Sequence, residues 1–281
     1  MDSIVGLGAA GCAIADKFAQ YPQYKIFKID QGLKGYQKNG IYGLKKYDSH
    51  QGYEENTPKM AHFFKNITKD VLFITSGAGK VSGCTLQVLK QLHDKKCNIN
   101  VLYIRPDLTL LSGTAKLQER LTCGVLQEYA RSGVFEALYM IGNPEAEKFI
   151  GELSINNYYD KINNLISSSF HMLNIFNNTK PVLDTSSGFG KLARIRTLSV
   201  LNLETNEEKM LYDLNRPEEK IFYFAISQES LENDGKLLNK IKEQIKDNTQ
   251  ENCSSSYRVH STQYEDDFAY CVVGTSEIQK V

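Results

Sequence analysis

The chain has 281 residues, and its 33 Lys and Arg are balanced by 33 Asp and Glu. That balance excludes a strong field toward nucleic acid or an anionic membrane, and no run of about 18 apolar residues offers a membrane insertion. Six cysteines at positions 12, 84, 97, 123, 253 and 271 make no C-x-x-C pair, and five histidines lack ligand spacing, so neither a metal site nor a disulfide framework is expected. Free buried thiols and the missing leader pattern point to a cytoplasmic protein.

In chain order, Ser3–Gly6 reads as a short buried strand and Ala10–Gln20 as its helix. Tyr24–Asp30 is a second strand. The Gly- and Tyr-rich stretch Gln31–Thr57 reads as loop with short elements, and its Tyr36–Tyr53 part as either a partner-facing loop or cover over the sheet. Lys59–Asn66 has helical spacing behind Pro58. Asp70–Thr75 is a continuous apolar run, as a doubly covered strand requires. A helix over Cys84–Lys95, a strand ending at Pro106, a helix over Thr114–Ser132 and a strand over Ala137–Gly142 follow. Strands alternating with helices predict a parallel sheet covered on both faces.

Asn156–Phe176 carries apolar residues at three- and four-residue steps, the stripe of a helix about 30 Å long. Beyond Lys180 the pattern becomes strand, hairpin around Thr205–Asn206, strand, helix over Leu231–Lys246, and two closing strands. Three regions are expected: a doubly wound α/β domain over 1–155, a bridging helix and loop over 156–180, and a smaller α+β domain over 181–281.

Two glycine loops carry the chemistry. Gly6-Leu7-Gly8-Ala9-Ala10-Gly11 has G-x-G-x-x-G spacing between a strand and a helix. Glycines let a phosphate approach the backbone, and the helix start offers free N–H groups with positive potential. Asp30 lies about 20 residues on, where a dinucleotide fold places its ribose-binding acid; one reading is therefore an NAD(P)-dependent Rossmann oxidoreductase. Thr75–Thr85 repeats the arrangement, with Gly77, Gly79 and Gly83, Lys80, and Ser82 at the helix entry. A Walker pattern is not matched. Two loops aimed at one crevice suit a mononucleotide polyphosphate better than a dinucleotide.

Gly6–Cys12 followed by Thr75–Thr85 resembles the tubulin/FtsZ superfamily, nearer its prokaryotic or phage-type FtsZ-like members. Tyr103–Pro106 is similar to the family's strand before the ribose loop, Glu55–Pro58 to its γ-phosphate loop, and Ser187–Ile195 to the strand opening its C-terminal domain. The resemblance covers nearly the whole chain. It implies GTP or GDP as ligand, with Mg²⁺, held by Gly6, Gly8, Ala9, Ala10, Gly11, Cys12, Asp30, Gly77, Ala78, Gly79, Lys80, Ser82 and Gly83. It places the purine contact on Asn143 and the guanine-pairing position on Asn163 or Asn164. It implies a homopolymer stacked head to tail, each loop over 177–188 resting on the next copy's nucleotide.

Departures from the family limit that expectation. Lys80 and Val81 replace signature glycines, Leu110–Ser112 stand where a ribose-binding acid is kept, and an amide replaces the guanine-pairing carboxylate. An amide lacks the charge-assisted pair that selects guanine. In 177–188 only Asp184 is acidic, so it is the one candidate for orienting water at a γ-phosphate, or else a helix N-cap. Slow or lost hydrolysis is expected. The alternative is a scaffolding relative that binds no nucleotide. No tail for binding a membrane adaptor is expected, and the basic groups at 44–46, 94–96 and Arg194/Arg196 read as solvated surface rather than a nucleic-acid patch.

Overall fold

The computed structural model describes residues 1–35, 39–152 and 154–280. Tyr36, the start of the proposed partner-facing loop, lies outside them.

The first half follows the predicted alternation. β1 (Ser3–Leu7), α1 (Gly8–Phe18), β2 (Lys25–Gln31), β3 (Ile41–Leu44) and α2 (His50–Glu55) lead to β4 (Asp70–Thr75). Then come α3 (Thr85–Asp94), β5 (Asn98–Arg105), α4 (Gly113–Arg131), β6 (Ala137–Gly142) and α5 (Asn143–Ile150). The long helix is α6 (Tyr158–Asn178). The second half holds β7 (Leu183–Asp184), β8 (Ile195–Leu201), β9 (Glu208–Met210), β10 (Glu219–Ser227), α7 (Gln228–Asn233), α8 (Leu237–Asp247), β11 (Ser254–Thr262) and β12 (Phe268–Thr275).

The first six strands pair in the order β3-β2-β1-β4-β5-β6, all parallel. This is the doubly wound order: the chain leaves β1 toward one edge and β4 toward the other. Such a reversal opens a crevice at the carboxyl ends of the two central strands. The sheet does not stop at β6. Leu138 and Tyr139 pair in parallel with Ile195 and Arg196, so β8 continues it. β12 and β10 follow antiparallel, then β11 parallel to β10.

Strand periodicity explains why both faces are covered. In β4, Val71 and Phe73 enter one core, while Leu72 and Ile74 enter the other. The first core packs them with Val88, Leu126, Phe222 and Ile241. The second packs them with α1 and with the α6 stripe of Ile162, Ile166, Phe170, Leu173 and Phe176, which also reaches Leu198, Tyr223 and Val272 of the second half. One helix thus covers the same face of both halves.

Three helical segments differ from the sequence reading. Lys59–Asn66 forms only a short 3₁₀ turn over Phe63–Asn66. The Met60 N–H is taken by the Gln91 side chain at 2.6 Å, and Met60, Phe63 and Phe64 are all buried, which holds the segment against α3 and the sheet. The helix over Leu231–Lys246 breaks into α7 and α8. Asp234 turns the chain there, its carboxylate accepting from the Lys236 N–H at 2.9 Å. Helix α5, which the sequence reading did not mark, follows β6 directly with proline in its first turn.

Candidate nucleotide cleft

At the crevice between β1 and β4 lies a cleft of ≈ 330 Å³, bounded by Leu7, Gly8, Ala9, Ala10, Asp30, Gln31, Ser76, Gly79, Lys80, Val81 and Ser82. Larger surface hollows of ≈ 760, ≈ 550 and ≈ 530 Å³ exist elsewhere. What distinguishes the cleft is its donors. Helix α1 begins without a side-chain cap and without an acidic residue in its first turn, so its leading N–H groups face the cleft unpaired by side chains. Uncapped N–H groups with the helix dipole behind them suit an anion.

The six glycines of the two loops divide by physical role. Gly8 has φ +73°, a left-handed turn that brings the chain from β1 into α1. Gly79 has no atom within 4 Å of an added Cβ, so its backbone lies open to the cleft. The other four are packing glycines. A Cβ on Gly6 would stand 2.4 Å from the Gly11 carbonyl oxygen, and one on Gly11 would stand 2.4 Å from that of Ile74. On Gly77 it would meet the Tyr103 hydroxyl at 2.2 Å, and on Gly83 the His50 carbonyl oxygen at 2.1 Å. They let α1 and the second loop lie tightly on the sheet and hold the cleft's walls from behind.

The side chains are placed as follows. Ser82 is buried and its hydroxyl lies 2.8 Å from the Gly77 carbonyl and 2.6 Å from that of Gly79, tying the second loop to itself. Lys80 is exposed and makes no ion pair among the described residues, so it is the cation at the cleft. Asp30 faces the same space, accepts from the Gln31 N–H at 2.7 Å, and burial raises its carboxyl above the usual value. Val81, only 7% exposed, sits 3.9 Å from the point a Gly8 Cβ would occupy and narrows the mouth. Cys12 points away: its Sγ lies 3.4 Å from the Gly6 carbonyl, and burial pushes the thiol up to about 12. Gly6, Gly11, Gly77, Ala78 and Gly83 likewise stand outside the lining.

Asn143 and Asn163 are not brought into this cleft. Asn143 opens α5 at the end of β6, three strands from β1, or about 14 Å across the sheet. Asn163 is half-buried on α6, next to Ile162, which packs in the α1 core; its neighbour Asn164 donates to Asp160 at 3.0 Å, and Asp160 pairs with Lys17. At the position of the missing ribose acid, Leu110 is 80% exposed, and the nearby Asp107 caps its own turn through Thr109, which lowers its pKa.

Asp184 lies on β7, at the far edge of the sheet beside the middle of β11. Asn174, Asn177 and Asn178 share a hollow with Met1, Asp70 and Asn98 at the amino ends of the parallel strands, and the chain from α6 to β7 continues from there. β7 pairs with β11, and the Asp184 carboxylate accepts from Arg258 Nε at 3.2 Å and from the Ser186 N–H at 2.8 Å. It is engaged within its own chain.

Sequence reasoning missed a buried polar group beneath the second loop. Glu119 on α4 is fully buried; it accepts from the Tyr103 hydroxyl at 3.2 Å and stands 3.7 Å from Arg105 Nε. Arg105 in turn donates to the Tyr212 hydroxyl at 2.8 Å. Burial is the main cause raising the Glu119 carboxyl, against the opposing charge of Arg105. The available signal was periodicity: Glu119 falls on the helical stripe of Cys123, Leu126 and Ala130, where an acid must find partners.

No family model matches the chain, and no curated protein sequence matches it. Solved structures do. An empty FtsZ dimer from M. jannaschii matches with a TM-score of 0.70 at 9% identity, covering 97% of this chain and 87% of its own. A GTPγS-form protofilament of TubZ from Bacillus thuringiensis serovar israelensis matches at 0.68 and 13%, covering 97% and 86%. A GTPγS-bound protofilament of CetZ2 from Haloferax volcanii matches at 0.66 and 16%, covering 98% and 92%.

Proposed function

We propose that this chain, whose fold is that of the tubulin/FtsZ superfamily, holds a nucleotide by its phosphates between the two glycine loops and stacks head to tail into filaments. The observation that carries the phosphate reading is the uncapped, acid-free start of α1 facing the open Gly79 backbone across one cleft. Guanosine nucleotide is the favoured ligand from the resemblance, with the nucleobase toward Asn143 and Asn163. Mg²⁺ would accompany its phosphates.

The protein's own contribution is positional. The backbone N–H groups of α1 orient phosphate oxygens, Lys80 adds the charge that two absent glycines would not, and Ser82 keeps the second loop in shape. Asn177 and Asn178, which open the loop over 177–188, lie at the opposite row of strand ends from the cleft, which supports head-to-tail stacking with one copy's loop on the next copy's cleft. Asp184 is paired with Arg258 within its own chain, which favours the reading of slow or lost hydrolysis. The division at about residue 180 belongs to this reading: the second half completes the neighbour's site.

A second reading, a scaffold without nucleotide, is favoured by Val81 and Asp30, which narrow a cleft at the small end of ligand-pocket sizes and place an anion in it. One experiment separates them. The purified protein is denatured and any released nucleotide identified by ion-exchange chromatography; the emptied protein is then titrated with GTP, ATP and NAD and pelleted with and without each. GTP or GDP bound, and GTP-dependent pelleting, supports the first reading. Pelleting without nucleotide supports the scaffold, and binding of NAD alone revives the oxidoreductase.

A further inference from the structure

A second hollow opens at the same row of strand ends as the cleft, because β8 runs parallel to β6. It measures ≈ 550 Å³ and lies where β8 and β10 end against α7 and α8. Its floor is apolar, with half-buried Leu203, Leu237 and Phe268. Its rim is acidic: Glu204, Glu265 and Asp266 are exposed and make no ion pair among the described residues. The cation on that rim, Lys240, is already paired with Asp234 at 2.7 Å. The groove therefore presents uncompensated negative charge around an apolar base.

The opposite end of the same strands carries a cation beside an exposed apolar side chain. Gly190 donates its N–H to Glu219 at the start of β10, at 2.8 Å, and Arg196 stacks on the Phe189 ring at 4.0 Å. These contacts anchor an exposed turn that carries Lys191 and Leu192 at its tip. Leu192 is 74% exposed, and Lys191 is exposed with no ion pair among the described residues. The tip precedes β8 and the groove follows it; the nine residues of β10 span the same gap, about 30 Å.

We propose that Lys191 and Leu192 of one copy seat in the acid-rimmed groove of the next, Leu192 on the apolar floor and Lys191 among Glu204, Glu265 and Asp266. The inference rests on the self-assembly reading and names a contact within it. Both surfaces sit at the two ends of the same strands, so a translation along those strands mates them without a large rotation. A two-fold arrangement of grooves would instead oppose acid to acid. A contact between two different surfaces of one chain repeats without closing, as a filament needs.

The test uses the full chain. Leu192→Cys and Asp266→Cys are introduced together and separately, and the assembled protein is oxidised and run on a non-reducing gel. The double variant is expected to give a ladder extending beyond the dimer, while each single variant gives none. In parallel, Leu192→Asp and the pair Glu204→Lys with Asp266→Lys are pelleted; each is expected to raise the critical concentration about tenfold or more. Circular dichroism melts check that the variants fold. If wild type pellets, yet folded variants pellet equally well and no ladder forms, the contact is wrong and the groove is left to a basic segment of another protein. If wild type never assembles under any nucleotide, the self-assembly reading falls and this contact falls with it.

Discussion

The division of the loop glycines into packing and cleft positions can be tested by giving each a single methyl group. Gly83→Ala places a Cβ 2.1 Å from the His50 carbonyl oxygen, and Gly77→Ala places one 2.2 Å from the Tyr103 hydroxyl and 3.0 Å from the Glu119 Cα. The His50 backbone in the first case and the fully buried Tyr103 side chain in the second must move by about an ångström, a strain of about 3 kcal/mol. For a chain of this size that corresponds to a fall in Tm of about 6 °C. Gly79→Ala meets nothing within 4 Å, and Gly79 has φ −82°, which alanine adopts freely. Its Tm should hold or rise by about 2 °C, because alanine restricts the unfolded chain. The same methyl stands in the cleft, so nucleotide affinity should fall about tenfold to a hundredfold. Melting by circular dichroism and titration calorimetry on the three variants give the comparison. If Gly79→Ala melts with Gly83→Ala, the loop is packed throughout and the assignment of Gly79 fails. If Gly79→Ala melts normally and binds nucleotide like wild type, the cleft is not where phosphate sits.

Three further outcomes are expected. Lys80→Ala should weaken nucleotide binding about threefold to tenfold at low salt and less at high salt, since an exposed cation is screened; a loss independent of salt would point to a structural role. Asp184→Asn should leave any GTP turnover within about twofold of wild type and cost at most about 1 kcal/mol, the scale of an exposed ion pair; a tenfold fall in kcat at unchanged stability would make Asp184 the water-orienting acid after all. His260 is buried on β11, its Nδ1 3.2 Å from the Thr179 hydroxyl, and burial, aided by Arg258 and opposed by Asp184, holds its pKa below the usual 6.5. The folded protein binds that proton less readily than the unfolded chain, so its contribution to stability is present above pH 6.5 and lost as pH falls below it. In His260→Gln the loss measured by urea denaturation between pH 7.5 and 5.5 should shrink but not vanish, because His50 and His171 are shifted the same way; an unchanged loss would refute it.

Elements that bury a continuous or strictly periodic apolar face were legible in the sequence. β4 lies where Asp70–Thr75 was read, β12 is the second of the two closing strands, and α6 is offset from Asn156–Phe176 by two residues at each end. Each of these patterns is enforced by a face that must be buried. Elements set by hydrogen bonds to distant parts of the chain were not legible. The 3₁₀ turn at Phe63–Asn66 depends on Gln91, thirty-one residues from Met60, and β7 depends on pairing with β11 across more than seventy residues. The two glycine loops were found by spacing, but spacing does not tell Gly79, which faces open space, from Gly83, which faces a carbonyl oxygen. That difference arises only when α2 is laid beside the second loop. Asp30 and Lys80 were both named from the sequence, and their meeting in one cleft required the parallel order of β2, β1 and β4.

The same distinction bears on how this fold persists at 9–16% identity to the structures it resembles. A phosphate held by backbone N–H groups is held by geometry: any sequence that makes the β1 turn at Gly8 and starts α1 without a cap supplies the donors. A base chosen by a carboxylate, or a water oriented by one, is held by a single side chain and is lost with it. In this chain the turn, the uncapped helix and the packing glycines are in place. The positions expected to select guanine and to position water carry an amide at Asn163 and an acid already paired with Arg258. Selectivity and turnover should therefore decay separately from phosphate affinity. An Asn163→Asp variant, restoring a charged acceptor on α6, should sharpen the preference for GTP over ATP about tenfold, while leaving the affinity for inorganic pyrophosphate unchanged. Equal gains for both nucleotides, or a changed pyrophosphate affinity, would place Asn163 away from the base.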